Sequence, residues 1–219
     1  GAARAYEVTG DERWRRIAEA YWKCAVTDRG AFCTGGQTSG EIWTPPFEQA
    51  ARLGDKNQEH CTVYNMIRLA DYLLRWTGEA HYADYIERNL YNGILAQQHP
   101  QTGMIAYFLP LEAGARKIWG HPTHDFWCCH GTLVQAHMLY QSLVYYEDEA
   151  GLALCQYLPS ELRWQRGAAA VKVTQTRDTE AAGGGARRRP DRWVVELAVE
   201  CDQPVRLTLK LRLPEWGAG

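Results

Sequence analysis

Two groups of residues in this sequence could bind a soft metal ion. Cys128 and Cys129 are adjacent in the segment Phe-Trp-Cys-Cys-His-Gly-Thr, and Glu59 and Cys61 lie far upstream on either side of His60. Neighbouring cysteines suit a disulfide poorly, because the short span between their Cα atoms strains the bridge. Thiolates favour Zn²⁺ among the common divalent ions, and tetrahedral zinc accepts mixed sulfur, nitrogen and carboxylate ligands. These residue types predict a zinc site in which one thiolate could also act as a nucleophile.

Two other interpretations of the cysteine pair stay open. An unpaired cysteine usually packs as a small buried hydrophobe, and neither group has the spacing of a zinc finger. Imidazole also suits zinc, so a histidine near the pair competes with Glu59 as a ligand. The histidines near the pair are His121, His124 and His130. The remaining histidines, which we interpret as structural or exposed, are His60, His81, His99 and His137.

The composition predicts a globular protein that binds neither nucleic acid nor membranes. The 219 residues are 46% hydrophobic and include nine Trp and twelve Tyr, enough for a substantial core. The formal net charge is −2 and no basic stripe is present, which disfavours nucleic acid and anionic membranes as partners. No apolar run approaches the roughly 20 residues that span a bilayer, and no secretory signal is visible. Both ends look like cuts in a longer sequence, since the first residue is not Met and the last residues follow a strand-like stretch.

The use of cysteine favours a reducing compartment. Seven cysteines, an odd number, are scattered along a chain that is long enough to fold without disulfides. The cysteines that lie in apolar or loop contexts without a partner motif, and that we interpret as structural, are Cys24, Cys33, Cys155 and Cys201. The predicted location is therefore the cytoplasm.

Residues 1–148 read mainly as helices joined by long loops. Apolar residues at helical spacing predict an amphipathic helix over 11–22. Turn-favouring glycines and prolines predict a loop over 27–57, and such loops often contain functional residues. Further helices are predicted over 59–76, 80–97 and 132–146. The cysteine pair would thus precede a helix N-terminus, where the pKa of a thiol is lowered.

From Gly151 onward the hydrophobic period changes to two, which predicts strands. They are expected over 152–158, 170–174, 193–199 and 205–213. The last one alternates apolar and polar residues, so Val205 to Leu213 should present one buried and one wet face, with Arg212 on the wet face. A segment rich in Gly and Arg over 181–190 is predicted to be a hairpin loop. The predicted fold class is mainly α with a β part: helices over 1–148, then the start of an antiparallel β-sandwich over 149–219.

Five motifs in this order resemble one family. They are Glu-His-Cys-Thr-Val-Tyr-Asn-Met from Glu59, Arg-Trp-Thr-Gly from Arg75, Tyr-Ala-Asp-Tyr-Ile-Glu-Arg-Asn-Leu-Tyr-Asn-Gly-Ile-Leu-Ala from Tyr82, Phe-Trp-Cys-Cys-His-Gly-Thr from Phe126 and Tyr-Leu-Pro-Ser-Glu-Leu from Tyr157. The sequence is similar to the zinc-dependent β-L-arabinofuranosidases, a glycoside hydrolase family first described as a domain of unknown function. The likeness covers nearly the whole chain from Gly35 onward.

The resemblance implies an (α/α)6 barrel that contains the active site, followed by a β-sandwich. Residues 1–148 have too few predicted helices for a whole barrel and correspond to its C-terminal part. The family's nucleophile corresponds to Cys128, and its general acid/base corresponds to Glu41 in the dipeptide Gly40-Glu41. Residues that line the family's sugar site correspond to Glu87 and Tyr107. The family's zinc ligands correspond to Glu59, Cys61, Cys128 and Cys129.

The implied function is a retaining glycoside hydrolase that releases terminal β-L-arabinofuranosyl residues from an oligosaccharide or a glycoprotein glycan. Most retaining glycosidases use two carboxyl groups. Here the Cys128 thiolate replaces the nucleophilic carboxylate, and Glu41 acts first as acid and then as base. Zn²⁺ is the expected cofactor, and homodimer formation is left open.

Two other functions compete with the hydrolase. A non-catalytic protein could use zinc to hold its helices around a sugar-binding or protein-binding surface, because four protein ligands are typical of a structural zinc. A cysteine peptidase would pair a cysteine with a histidine and would need no metal. The upstream Glu59 and Cys61 disfavour the peptidase.

Overall fold

A computed structural model describes residues 1–177 and 194–217 of the chain, which form two compact units. The first unit contains Gly1–Tyr140 together with the residues that follow Leu213, and the second contains Gln141–Leu213. The hairpin loop predicted over 181–190 lies outside the described residues. Among those residues, no helix has the length and apolar character needed to cross a lipid bilayer.

Helices dominate the first unit, as the sequence predicts. They are α1 (Ala2–Thr9), α2 (Glu12–Trp22), α3 (His60–Thr77), α4 (Ala80–Asn89) and α5 (Cys128–Leu139).

Local signals determine where α2 begins and where α3 ends. Asp11 Oδ1 accepts a hydrogen bond from the Arg13 backbone N–H at 2.9 Å, which satisfies one of the free donors of the first turn. Gly78 has a φ of +71° and donates its N–H to the Leu74 carbonyl at 2.7 Å, a left-handed helix end that glycine adopts readily. The helices predicted over 11–22 and 59–76 are confirmed to within one residue at each end.

Two other helix predictions are wrong at their boundaries. The helix predicted over 80–97 ends at Asn89, and the chain continues as a wider π-helical turn over Leu90–Ile94 and a 3-10 turn over Leu95–Gln97. The helix predicted over 132–146 begins four residues earlier, at Cys128, and ends at Leu139, where a 3-10 turn over Tyr140–Leu143 leads to a strand that starts at Tyr145. The Trp127 backbone N–H donates to His130 Nδ1 at 2.9 Å, so a side chain inside the motif caps the helix ahead of the cysteine pair.

The predicted loop over 27–57 contains a small hairpin of β1 (Thr38–Ser39) and β2 (Ile42–Trp43). Asn57 pairs with Ser39 on one side and with Leu109 on the other. The hairpin, the residues before α3 and the segment around Leu109 therefore lie side by side.

Apolar faces of α2, α3 and α4 pack together in the core of the first unit. Leu73 on α3 and Ile86 on α4 are both 0% exposed. Trp22 at the end of α2 packs edge-on against Tyr82 and Tyr85, with ring centroids 5.1 and 4.8 Å apart. These contacts give the loops that connect the helices a rigid frame.

The described residues of the second unit form two three-stranded sheets. One has the order β3-β4-β8 and the other β5-β6-β7. The β4–β8 pair is parallel, so the predicted antiparallel arrangement is wrong for this pair, while the other strand pairs of these two sheets are antiparallel. The strands are β3 (Tyr145–Asp148), β4 (Gly151–Leu154), β5 (Ser160–Arg166), β6 (Ala169–Arg177), β7 (Val195–Cys201) and β8 (Thr208–Leu211).

Side chains from both sheets meet in one apolar core. Leu152 of β4 packs with Val171 and Val173 of β6, and all three are at most 3% exposed. Leu162 and Trp164, two residues apart on β5, point to the same core. This period of two is what a strand with one buried face requires.

The predicted alternation over 205–213 fails at its end. Leu211 is 50% exposed and Leu213 is 83% exposed, whereas Arg212 is only 6% exposed. Arg212 Nε donates to the Cys155 carbonyl at 2.6 Å, which offsets the cost of burying a charged group. Because β8 ends at Leu211, a period of two no longer decides which side chains are buried beyond it.

Candidate functional site

Four side chains that could bind one metal ion meet where two helices of the first unit begin. Glu59 immediately precedes α3, and Cys61 is the second residue of that helix. Cys128 and Cys129 are the first two residues of α5. The ligand atoms of all four lie within 4.8 Å of one another. The structure thus brings together the four residues predicted as zinc ligands.

The spacing of the sulfur atoms fits a tetrahedral ion. The sulfurs of Cys61 and Cys129 are 3.5 Å apart, and those of Cys128 and Cys129 are 4.0 Å apart. Zn–S bonds of about 2.3 Å at tetrahedral angles would separate two sulfurs by about 3.8 Å. Three sulfurs and one carboxylate also form a donor set that zinc accepts.

The histidines near the cysteine pair lie outside this cluster, which contains no histidine in the part of the chain that the structure describes. His121 and His124 are exposed, and their rings stack on each other with centroids 4.3 Å apart. His130 uses Nδ1 to cap the start of α5.

The four residues of the cluster differ in exposure. Cys129 is 0% exposed and Glu59 is 8% exposed, whereas Cys61 is half-buried and Cys128 is exposed. Thr62 donates its hydroxyl hydrogen to Glu59 Oε2 at 2.6 Å, which orients this carboxylate. Cys128 is therefore the member of the cluster that a molecule from solvent can reach.

The thiols perturb one another's pKa. A hydrogen bond from Cys129 lowers the pKa of Cys61 to about 7. The same bond, together with burial, raises the pKa of Cys129. Three thiolates and a carboxylate at these distances repel one another, so the whole cluster can ionise only if a cation is bound.

Glu41 and Tyr107 adjoin the exposed Cys128. The Tyr107 hydroxyl donates to Glu41 Oε1 and lies 3.3 Å from the Cys128 sulfur. Its contacts with Cys128 and Glu41 raise the pKa of Tyr107, so the phenol keeps its proton at neutral pH. One hydroxyl group thus links a carboxylate to a thiol.

Backbone contacts position Glu41 and Tyr107. Glu41 forms the turn of the β1–β2 hairpin with Gly40, whose φ of +62° suits a tight two-residue turn. The Tyr107 carbonyl accepts a hydrogen bond from the His60 N–H at 3.1 Å, which places Tyr107 against the first turn of α3.

Two buried polar side chains that sequence reasoning missed hold these segments together. Thr38 Oγ1 accepts a hydrogen bond from the Glu59 N–H at 3.0 Å. Gln97 is 0% exposed, and its Nε2 donates to the carbonyls of Gln58 and Tyr107, both at 3.0 Å. No sequence signal could have found them, because their partners are backbone atoms 10 to 39 residues away.

A family model described as the β-L-arabinofuranosidase GH127 catalytic domain matches residues 1–142, well over half of the 219 residues. The chain belongs to the GH127 family. The family expected from the five motifs is confirmed. The match includes every residue of the Glu59, Cys61, Cys128 and Cys129 cluster.

Solved structures share the fold of this GH127 chain. A GH127 β-L-arabinofuranosidase from Geobacillus stearothermophilus is 23% identical with a TM-score of 0.72, and the match covers 98% of this chain and 34% of that one. A second GH127 β-arabinofuranosidase is 21% identical with a TM-score of 0.75, over 98% and 32% of the two chains. A third structure, described as a glycoside hydrolase, is 20% identical with a TM-score of 0.73, over 99% and 38%.

At these identities the likeness establishes the fold alone. The GH127 chain spans about a third of the length of the three solved structures. No curated protein matches it.

Glu87, which is predicted to line the sugar site, is not one of the four cluster residues of this GH127 chain. It is on α4, where its Oε2 accepts a hydrogen bond from Trp216 Nε1 at 2.8 Å. Tyr85, two residues earlier and on a different face of α4, is the residue that reaches the hairpin, through a 3.1 Å hydrogen bond to Gln37 Oε1. Contact between Glu87 and the sugar stays a prediction.

Proposed function

We propose that this chain contains the catalytic centre of a retaining glycoside hydrolase that releases terminal β-L-arabinofuranosyl residues from an oligosaccharide or a glycoprotein glycan. The observation that carries the proposal is the exposed Cys128 sulfur, which belongs to a mostly buried ligand cluster and contacts Tyr107, the partner of Glu41. Membership of the GH127 family supports the choice of sugar.

The separation of Glu41 and Cys128 supports a retaining mechanism. Both contact the Tyr107 hydroxyl, so their reactive atoms are at most about 6 Å apart, the sum of two ordinary hydrogen-bond lengths. Paired catalytic groups are roughly 5–5.5 Å apart in retaining glycosidases and about 6.5–9.5 Å apart in inverting ones, which must admit a water between them.

Each residue then has a defined role. The Cys128 sulfur attacks the anomeric carbon while Glu41 protonates the departing glycosidic oxygen, so that a thioglycosyl bond replaces the glycosidic bond. Glu41 next removes a proton from water, the water oxygen bonds to the anomeric carbon, and the sulfur leaves as a thiolate. Tyr107 donates a hydrogen bond within this pair and lines the sugar site.

Glu59, Cys61, Cys128 and Cys129 are the residues that would hold Zn²⁺. When bound, zinc keeps a coordinating thiol deprotonated at neutral pH. The protein contributes the buried carboxylate and the nearly tetrahedral spacing of the sulfurs.

The finer architecture belongs to the same proposal. We assign the helices of the first unit to the C-terminal part of an (α/α)6 barrel and the sheets of the second unit to the start of a β-sandwich. The likeness to glycoside hydrolase structures over 98–99% of this chain supports the assignment, as does the apolar core shared by the two sheets.

A non-catalytic zinc-stabilised binding module is the second candidate. One observation favours it: the cluster supplies four protein ligands, and structural zinc sites are closed in this way. The two candidates differ in what they require of Cys128, which is a ligand in both but a nucleophile only in the enzyme.

The test uses the intact gene product that contains these residues. Cys128→Ser is expected to slow release from an aryl β-L-arabinofuranoside by at least about 1000-fold, because a hydroxyl is a much weaker nucleophile than a thiolate. Substrate binding should largely persist, and mass spectrometry of rapidly denatured wild-type protein should find one pentosyl unit on Cys128.

Cys24→Ser is the matched control, because Cys24 is also exposed but lies outside the cluster. It should leave turnover unchanged. Wild-type protein that binds zinc and substrate but releases no sugar would favour the binding module. A pentosyl unit on Cys129 would refute the assigned nucleophile.

A further inference from the structure

A threonine hydroxyl contacts the ligand cluster from one turn further along α5. Thr132 Oγ1 lies 3.3 Å from the Cys61 sulfur and 3.0 Å from His60 Nδ1. The same oxygen is 3.2 Å from the Cys129 carbonyl and 3.4 Å from the Cys128 carbonyl. One hydroxyl therefore lies between a ligand sulfur, an imidazole and two helix carbonyls.

His60 supplies a donor to this hydroxyl. The residue is 0% exposed, and its Nε2 is buried without a hydrogen-bond partner among the described residues. A buried N–H without an acceptor is rarer and costlier than an unused lone pair. The hydrogen is therefore expected on Nδ1, where Thr132 Oγ1 can accept it.

Because His60 Nδ1 is then a donor, the single hydroxyl hydrogen of Thr132 must go to an acceptor other than His60. The carbonyls of Cys128 and Cys129 are in the first turn of α5, where intrahelical N–H groups already supply donors. A thiolate has no hydrogen of its own and accepts a stronger hydrogen bond than a neutral carbonyl does. Cys61 is thus the acceptor that gains most from this hydrogen.

We propose that Thr132 is a positioning residue of the metal centre, which donates its hydroxyl hydrogen to the Cys61 sulfur and is itself oriented by His60. The inference rests on the proposed function, because it takes Cys61 to be a zinc ligand. A hydrogen bond of this kind fixes the direction of the sulfur lone pairs and stabilises the thiolate before the ion arrives. Outer residues that orient a metal ligand typically change metal affinity by about 10- to 100-fold.

The test measures the affinity of the intact gene product that contains these residues for Zn²⁺ by competition with a chromophoric chelator. Thr132→Val keeps the shape of the side chain but removes the hydroxyl, and it should weaken zinc binding by about 10- to 100-fold. Thr132→Ser keeps the hydroxyl and should bind zinc nearly as tightly as the wild type does. With Co²⁺ in place of zinc, the sulfur-to-metal charge-transfer band should shift in Thr132→Val but not in Thr132→Ser.

Thr77→Val is the matched control. Thr77 is likewise a helical threonine whose hydroxyl lies close to a carbonyl of its own helix, since it donates to the Leu73 carbonyl at 2.8 Å, but it is at the far end of α3. Zinc affinity should be unchanged in this variant, which separates the contact with Cys61 from the general effect of removing a helix-bound hydroxyl.

A second pair of variants tests the role of His60 independently. His60→Asn retains a donor near the position of Nδ1 and should keep more zinc affinity than His60→Gln, whose amide reaches toward the position of Nε2.

Equal zinc affinity in Thr132→Val and the wild type, together with an unshifted cobalt band in Thr132→Val, would overturn the inference while the zinc centre stands. A wild-type chain that takes up no zinc would end the proposed zinc centre and this inference together.

Discussion

The core of the second unit and the surroundings of the ligand cluster in the first unit order their buried residues by different means. In the second unit, Val171 and Val173 alternate along β6 and pack on Leu152 from the facing sheet. Around the ligand cluster of the first unit, several fully buried side chains are polar instead, among them Gln97 and His60 at 0% exposure. Apolar burial thus dominates one region, and hydrogen bonds from side chains to backbone dominate the other.

This difference shows how the loops beside a ligand cluster at two helix starts can be held in place. Backbone hydrogen bonds to the neighbouring strands hold a strand in place. Each of its side chains therefore only has to lie on the correct face of the sheet, buried or exposed. The residues before α3 and the segment at Tyr107 have no long ladder, and Gln97 and Thr38 supply the missing partners. Because buried polar groups are costly when unpaired, such a network specifies one arrangement of the loops.

The largest expected effect is on zinc binding, and it should differ between a cysteine of the ligand cluster and a cysteine of the second unit. Cys61→Ser should abolish stoichiometric zinc binding, because it replaces a soft thiolate ligand with a hydroxyl. Cys155→Ser makes the same change in the second unit, where burial raises the pKa of the Cys155 thiol to about 11 and the residue lies outside the cluster. Metal analysis after gel filtration should find zinc retained in Cys155→Ser, and loss from both variants would contradict the comparison.

Two core substitutions should then separate stability from metal binding. Leu154 in β4 is 0% exposed, so Leu154→Ala should lower the free energy of unfolding by about 2–5 kcal/mol without changing zinc affinity. Gln97→Leu should cost about 1–3 kcal/mol and should also weaken zinc binding, because the Gln58 and Tyr107 carbonyls lose their donor. Urea unfolding and chelator competition measure the two quantities. A loss of zinc affinity in Leu154→Ala would show that the two regions depend on each other.

The smallest effect concerns an exposed charge pair in the second unit. Lys210 donates to Asp148, and this contact lowers the pKa of the Asp148 carboxyl. A lowered pKa in the folded state stabilises the fold above the ordinary aspartate pKa, and the contribution disappears as the pH falls through the lowered value. Melting curves between neutral and acidic pH should therefore show a slightly smaller acid-induced decrease in Tm for Asp148→Asn than for the wild type. An equal decrease in the two proteins would show that the pair contributes nothing.

Much of the fold follows from patterns that are local in the sequence. The helix over His60–Thr77 and the strand around Val171 are predictable, because the spacing of apolar residues is decided by the geometry of a helix or a strand alone. The start of α5 was missed by four residues, since its cap is the side chain of His130 rather than a usual capping residue. A helix predicted from Cys128 would have placed Thr132, four residues later, on the same helix face as Cys128.

The sequence by itself determined the chemical inventory: the cysteine pair, the Glu59 and Cys61 group, and a resemblance strong enough to identify the family. Only the tertiary structure decided that Tyr107 links Glu41 to Cys128, that Glu87 pairs with Trp216 and that Arg212 is buried. The physical reason is the range of the interactions. Propensity and periodicity act within one turn or one strand, whereas a side chain finds a distant partner only after the core has brought their segments together.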